Sequence, residues 1–174
     1  QTCTLPIYTN CEGRFELTRA AIEYAKSKGV PVVISAGNTG SYGVSGPGCV
    51  GPAFSVGAVR NDLRVASYSS YGPMVDIYAP GGSSLYSTLN TPTGYGYKAG
   101  TSMSTPMVSG ALALLKQHDP VAGVRRLQNA VMRGAQQGFD PKLGGIAPVL
   151  DLGGALTVLD ANQPPEVVFH VGPV

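Results

Sequence analysis

Hydrophobic and polar positions change their spacing several times along this chain, and each change marks an element. From Phe15 to Lys28 the apolar residues Phe15, Leu17, Ala20, Ala21, Ile22 and Ala25 leave a face to Glu16, Arg19, Glu23, Lys26 and Lys28. That is the pattern of an amphipathic helix, closed by Gly29. The spacing then gives way to the continuous β-branched run Val30-Pro31-Val32-Val33-Ile34, which predicts a strand buried on both faces of a parallel sheet. Ala53 to Val59 and Met74 to Tyr78 predict two more strands, separated by a polar turn region from Asn61 to Pro73, with Asp76 a hydrogen-bonded structural residue.

Residues 83–99 mix small residues, threonines and tyrosines with glycine, which predicts a short hairpin or loop whose tyrosines pack. Ser102 to Gln117 is apolar nearly all round and carries small residues at Ser104, Ser109, Gly110, Ala111 and Ala113, so it predicts a helix in the centre of the domain. Asp119-Pro120 ends it. Val121 to Gly134 predicts a surface helix with Arg125, Arg126 and Arg133 on its solvated face, residues 138–148 a loop, and Leu152 to Leu159 a last short helix. Residues 1–14 read as a loop. A helix, a glycine turn and a buried strand in that order form an α-to-β connection, so the chain reads as entering an alternating α/β pattern midway.

Composition narrows the function classes. With 174 residues and 43% hydrophobic content, the chain suits one domain with a real core, and 24 glycines and 14 prolines favour a loop-rich α/β or β architecture over a helical bundle. A net charge of +2 with 13% charged residues leaves no basic stripe for a phosphate backbone, so nucleic acid is not an expected partner. No apolar run reaches the roughly 18–20 residues of a membrane span, and the N-terminus lacks the layout of a signal peptide, so a soluble chain is expected. Cys3, Cys11 and Cys49 show no zinc-type spacing; they admit one disulfide and point to an oxidising compartment, with the pairing left open between a local Cys3–Cys11 loop and longer bridges.

The candidate chemistry gathers in Gly100-Thr101-Ser102-Met103-Ser104-Thr105-Pro106. Gly100 permits a close approach, Ser102 falls in the first turn of the apolar helix, and Pro106 lies near enough to the start to forgo its N–H. Free N–H groups at such a helix start can hold a developing oxyanion. A serine nucleophile also needs a base, and the chain has two histidines, His118 and His170. His118 lies roughly 24 Å along the same helix, out of reach, and His170 sits in the tail after Pro164-Pro165. Asn38, after Ser35-Ala36-Gly37, falls at the carboxyl end of a predicted strand, where ligand chemistry collects in parallel sheets.

Taken together, Ala36-Gly37-Asn38 and Gly100-Thr101-Ser102-Met103 resemble the oxyanion and nucleophile motifs of the subtilisin-like serine proteases. Pro52-Ala53, Val56-Gly57-Ala58, Tyr68-Ser69-Ser70-Tyr71-Gly72, Val75-Asp76-Ile77, Ala79-Pro80-Gly81 and Ser87-Thr88 resemble that family's landmarks in the family's order, over about residues 15–157. The resemblance implies an α/β, parallel-sheet subtilisin-like fold, present as the C-terminal part of a catalytic domain over residues 1–160, with 161–174 a linker or exit segment. It implies Ser102 as acyl-forming nucleophile, the Asn38 amide and the Ser102 N–H as oxyanion donors, and Ser35, Ala36, Gly37 and Thr101 as substrate-binding residues.

It further implies a catalytic aspartate and histidine upstream of Gln1, so that an N-terminal segment of the same protease is the expected partner and the isolated chain is inactive. Peptide or protein substrates and a secreted location follow from the same likeness, as does a Cys11–Cys49 disulfide. No cofactor or metal is expected in this chain, although the family admits calcium in the complete protein. The one departure within the motif is Met107, where the family commonly has histidine. A catalytically dead, self-associating fragment is the alternative, since an uncovered strand edge favours association. A lesser one is an α/β-hydrolase using Ser102, Asp140 and His170, whose nucleophile elbow needs a buried strand before the serine and further strands after it.

Overall fold

A computed structural model describes residues 11–161. Its main sheet has five strands in the order β1-β2-β3-β7-β6. β1 (Val33–Ser35), β2 (Phe54–Val59) and β3 (Ile77–Pro80) run parallel, β7 (Gly145–Val149) joins β3 in parallel, and β6 (Gln136–Asp140) closes the far edge antiparallel to β7. A separate two-stranded ribbon pairs β4 (Leu85–Thr88) with β5 (Tyr95–Lys98). The helices are α1 (Cys11–Arg14), α2 (Glu16–Ser27), α3 (Thr101–His118), α4 (Val124–Arg133) and α5 (Leu152–Ala161).

Two apolar layers sandwich the sheet. On one face, Phe54, Val56, Ile77 and Ala79 meet Val108, Leu112 and Leu115 of α3, and residues of α4 and α5 join the same core. On the other, Ile22 of α2 joins Val44, Val50, Val59, Val75 and Tyr78. β2 is buried at every position because α3 covers one side and the loops around Cys49 and Val75 cover the other.

Several sequence expectations shift. β1 begins at Val33, and its residues are half-buried, because it is the outer strand of the sheet rather than an inner one; Val30 is 53% exposed. β3 starts at Ile77, so Asp76 lies just before it and clips the neighbouring strand: its Oδ2 accepts the N–H (2.6 Å) and hydroxyl (3.0 Å) of Ser55. α3 is covered on one side only: Val108, Leu112 and Leu115 are buried, whereas Leu114 is 51% exposed and Gly110 has open space where a side chain would be. Tyr86, Tyr95 and Tyr97 form an exposed cluster on the ribbon, ring against ring, and not part of a core.

α4 begins at Val124, leaving Val121 88% exposed ahead of it. Residues 138–148 are not a loop but most of the β6–β7 hairpin, so strands do follow the serine. Cys11 belongs to a short helix instead of a loop, while Cys3 and His170 lie outside the described residues. Cys11 is bonded to Cys49 across 38 residues of chain, tying α1 to the loop before β2. Replacing both cysteines by serine is expected to cost about 2–4 kcal/mol of stability by freeing the unfolded chain, read as a lower denaturation midpoint that reductant no longer shifts.

Candidate active site

The loop after β1 and the start of α3 meet at a pair of hydrogen bonds. Asn38 Oδ1 accepts the backbone N–H of Thr101 and its hydroxyl, both at 2.9 Å. With Oδ1 so engaged, Nδ2 is the donor end of the amide, and it has no acceptor among the described residues. Gly100, with φ at 150°, turns the chain into the helix. A Cβ placed on Gly100 would lie 3.5 Å from Asn38 Nδ2 and 3.8 Å from the Ser102 nitrogen. Two donors therefore flank one small volume that the absence of a side chain leaves open.

Ser102 is exposed and is the second residue of α3, where the N–H has no intrahelical acceptor and the helix presents its positive end. No acidic residue in the first turn offsets that field. Pro106 lacks the N–H that would bond the Ser102 carbonyl, and the Thr105 hydroxyl donates to the neighbouring Thr101 carbonyl at 2.8 Å. Preorganised donors around an exposed hydroxyl can stabilise negative charge developing on an oxygen bound beside it.

The helix start is pinned from below. The Gly100 N–H bonds the Gly81 carbonyl at 2.9 Å, the Ser104 hydroxyl bonds the Ala79 carbonyl at 3.0 Å, and the Tyr68 hydroxyl donates to the Gly81 carbonyl at 2.5 Å. Burial raises the Tyr68 pKa, against the lowering effect of a hydrogen bond with the Gly100 backbone, which favours the protonated phenol that donates to Gly81. Tyr68 also accepts the Gly40 N–H on its carbonyl at 2.7 Å. The 66–72 loop is thus bonded both to the nucleophile helix and to the loop carrying Asn38.

Of the other residues singled out from sequence, Ser35 ends β1 opposite Val56, and Ala36 is buried with its N–H on the Val56 carbonyl and its own carbonyl accepting from Ser45, both at 2.8 Å. Gly37 has φ at +109°, and its carbonyl accepts the Ser70 N–H at 2.9 Å. Thr101 is fully buried, with both donors spent on Asn38. A cavity of about 410 Å³ opens between the ribbon and α3, where Leu85, Leu89, Lys98, Met103 and Met107 line it beside Ser102.

His118 is bound to Asp160 at 2.7 Å, at the opposite end of α3 from Ser102. Asp140 is buried at the end of β6, its Oδ1 accepting the Lys142 N–H at 2.9 Å, and β5 belongs to the ribbon and not to the parallel sheet. A nucleophile elbow built on a sheet strand is therefore absent, which removes the α/β-hydrolase alternative. The described residues contain no group of three or more histidine, cysteine or acidic side chains placed to hold a metal, and no helix among them is long and apolar enough to cross a membrane. Sequence reasoning did not find the parts played by Thr101, Tyr68 and Gly81, because each acts through a hydrogen bond that only the fold brings about.

Comparison with known proteins gives one consistent picture. The subtilase family model matches residues 7–157. Subtilisin BL of Lederbergia lenta is 44% identical over 100 residues, covering 58% of this chain and 36% of that protein. A thermophilic serine proteinase of Bacillus sp. (strain AK1) is 42% identical over 105 residues, covering 60% of this chain and 26% of that protein. Among solved structures, a protease from Pseudoalteromonas arctica PAMC 21717 superposes with a TM-score of 0.74 at 30% identity, over 82% of this chain and 46% of that one. A cold-adapted subtilisin-like serine proteinase superposes with a TM-score of 0.68 at 28% identity, over 75% of this chain and 48% of that one. The matches thus span about a third or less of these curated relatives and under half of these solved chains.

Proposed function

The chain belongs to the subtilase family, and from that premise we propose that it carries the nucleophile and oxyanion hole of a serine endopeptidase. Ser102 Oγ attacks the carbonyl carbon of a peptide bond. Asn38 Nδ2 and the Ser102 N–H donate to the oxyanion of the tetrahedral intermediate, which collapses to an acyl-enzyme as the amine leaves with a proton. Water then releases the acyl group through a second such intermediate. The observation that supports this reading most directly is the doubly bonded Asn38 Oδ1, which leaves Nδ2 beside the Ser102 nitrogen.

The proton must pass through a base. Among the described residues the only histidine is His118, occupied by Asp160 at the far end of α3; by the family likeness, the histidine and the aspartate that orients it are assigned to an N-terminal segment of the same protease. Peptide or protein substrates lie extended beside Ser35-Ala36-Gly37, whose small side chains leave room, with the protein working outside the cell like a secreted enzyme. Calcium is left to the complete protein.

A serine-reactive fluorophosphonate separates this reading from that of a dead fragment. In the full-length protein the adduct should map by peptide mass to Ser102, and residues 1–174 alone should remain unlabelled until the N-terminal segment is added back. An adduct on another serine, or none in the full-length protein, removes the proposal. Labelling of the chain alone removes the claim that the base lies outside it.

A further inference from the structure

The geometry points to Lys142 as a positioning residue for the loop that carries Asn38: from the β6–β7 turn, its ammonium ties that loop to the 66–72 loop. Lys142 Nζ donates to the Gly40 carbonyl at 3.2 Å and to the Ser69 carbonyl at 3.0 Å, bridging segments that lie 102 and 73 residues away in sequence. The same ammonium sits 4.5 Å from the centre of the Tyr71 ring, which meets the Tyr42 ring edge-on at 5.6 Å. Tyr42 and Tyr71 are themselves bridge partners of the two loops.

Four backbone hydrogen bonds run between those loops: Gly40 N–H to Tyr68, Gly43 N–H to Tyr71, Tyr71 N–H to Ser41 and Ser70 N–H to Gly37, at 2.7, 2.7, 3.2 and 2.9 Å. Two carbonyls drawn to one ammonium turn this ladder into a closed clamp, with a positive charge where two carbonyl dipoles converge. The clamp bears on the chemistry because Asn38 is two residues before Gly40 on one side of it, while Tyr68 reaches the Gly81 carbonyl, and through it Gly100, on the other. Lys142 thus fixes the distance between Asn38 and the start of α3 without touching the reacting atoms.

Burial lowers the Lys142 pKa, and the Asp140 carboxylate opposes that lowering. Asp140 is itself buried, with Oδ2 lacking a hydrogen-bond partner among the described residues, while its Oδ1 accepts the Lys142 backbone N–H. A methionine at 142 would fill the space and keep the hydrophobic stem, yet offer the carbonyls nothing.

The inference rests on the oxyanion role proposed for Asn38, so its test needs one readout that does not involve activity. In the full-length protein, Lys142→Met should speed amide exchange at Gly40, Gly43, Ser70 and Tyr71 by about tenfold or more, measured against amides of β2. With a peptide substrate, kcat should fall about tenfold with KM within about twofold, and Lys142→Arg should restore most of it. In an Asn38→Ala background the same Lys142→Met change should cost less than about twofold, because its effect passes through the missing amide. Should Lys142→Met fail to fold, Lys142→Gln takes its place with the same expectations. Unchanged exchange at the four amides overturns the clamp. An equal loss of kcat with and without Asn38 leaves a structural tie and overturns the positioning role. An inactive parent protein with accelerated exchange upholds the clamp while removing the endopeptidase reading on which the positioning of Asn38 depends.

Discussion

Asn38→Ala in the full-length protein is expected to lower kcat by about 10²–10³ with little change in KM, equivalent to about 2.7–4 kcal/mol, a magnitude carried over from removal of the same kind of donor in a subtilisin. The split follows from where the charge appears. In the proposed mechanism the substrate carbonyl is neutral on binding and becomes an oxyanion only as Ser102 Oγ bonds to carbon, so the Asn38 amide would act on the transition state far more than on the bound substrate. Folding should weaken as well, by about 1–3 kcal/mol: the substitution leaves the N–H and hydroxyl of the buried Thr101, both bonded to Oδ1, without their acceptor, although the helix start keeps its bonds to Gly81 and Ala79. Asn38→Asp is the sharper variant. It keeps the acceptor for Thr101 but sets a carboxylate beside the developing oxyanion, so it should be at least as damaging to kcat as alanine. Steady-state kinetics on one peptide substrate decide the matter; a loss confined to KM would assign Asn38 to substrate binding instead.

Much of this site could be read from the chain itself, and the reason is local. Gly100, Ser102 and the apolar run after them describe a helix start, and Asn38 after a β-branched run describes a strand end. These are features of adjacent residues, set by backbone sterics and short-range periodicity. What escaped the sequence depends on contacts between distant segments. The β6–β7 hairpin is hidden in the sequence because its apolar residues do not all face the core: Phe139 on the edge strand β6 and Ile146 on β7 are exposed, and glycines at 144 and 145 imitate a loop. α3 looks central because both its faces are apolar, whereas the structure covers only one, and periodicity cannot show what packs on a face. Lys142 carried no signal at all. A lone lysine in a turn acquires its role only when strand pairing brings Gly40 and Ser69 to its ammonium.

The second large effect is expected at Gly100, and it separates geometry from donor chemistry. Gly100 has φ at 150°, within the range that residues with a Cβ rarely adopt, and the new methyl of Gly100→Ala would sit 3.5 Å from Asn38 Nδ2 and 3.8 Å from the Ser102 nitrogen. Those distances are ordinary contacts, so the methyl can be accommodated among its neighbours. An oxyanion lying about 2.7–3.1 Å from the same two nitrogens would be crowded by that methyl. Two costs should therefore appear together: strain of about 1–3 kcal/mol in stability, and a loss of kcat about as large as that of Asn38→Ala, although both donors are still present. Gly100→Val should abolish turnover. If backbone strain were the whole effect, stability would fall while kcat held in the fraction that folds, and measuring both on the same preparation tells these apart. Combining Gly100→Ala with Asn38→Ala should cost little more activity than either change alone, because a hole already filled by a methyl has no further use for its amide.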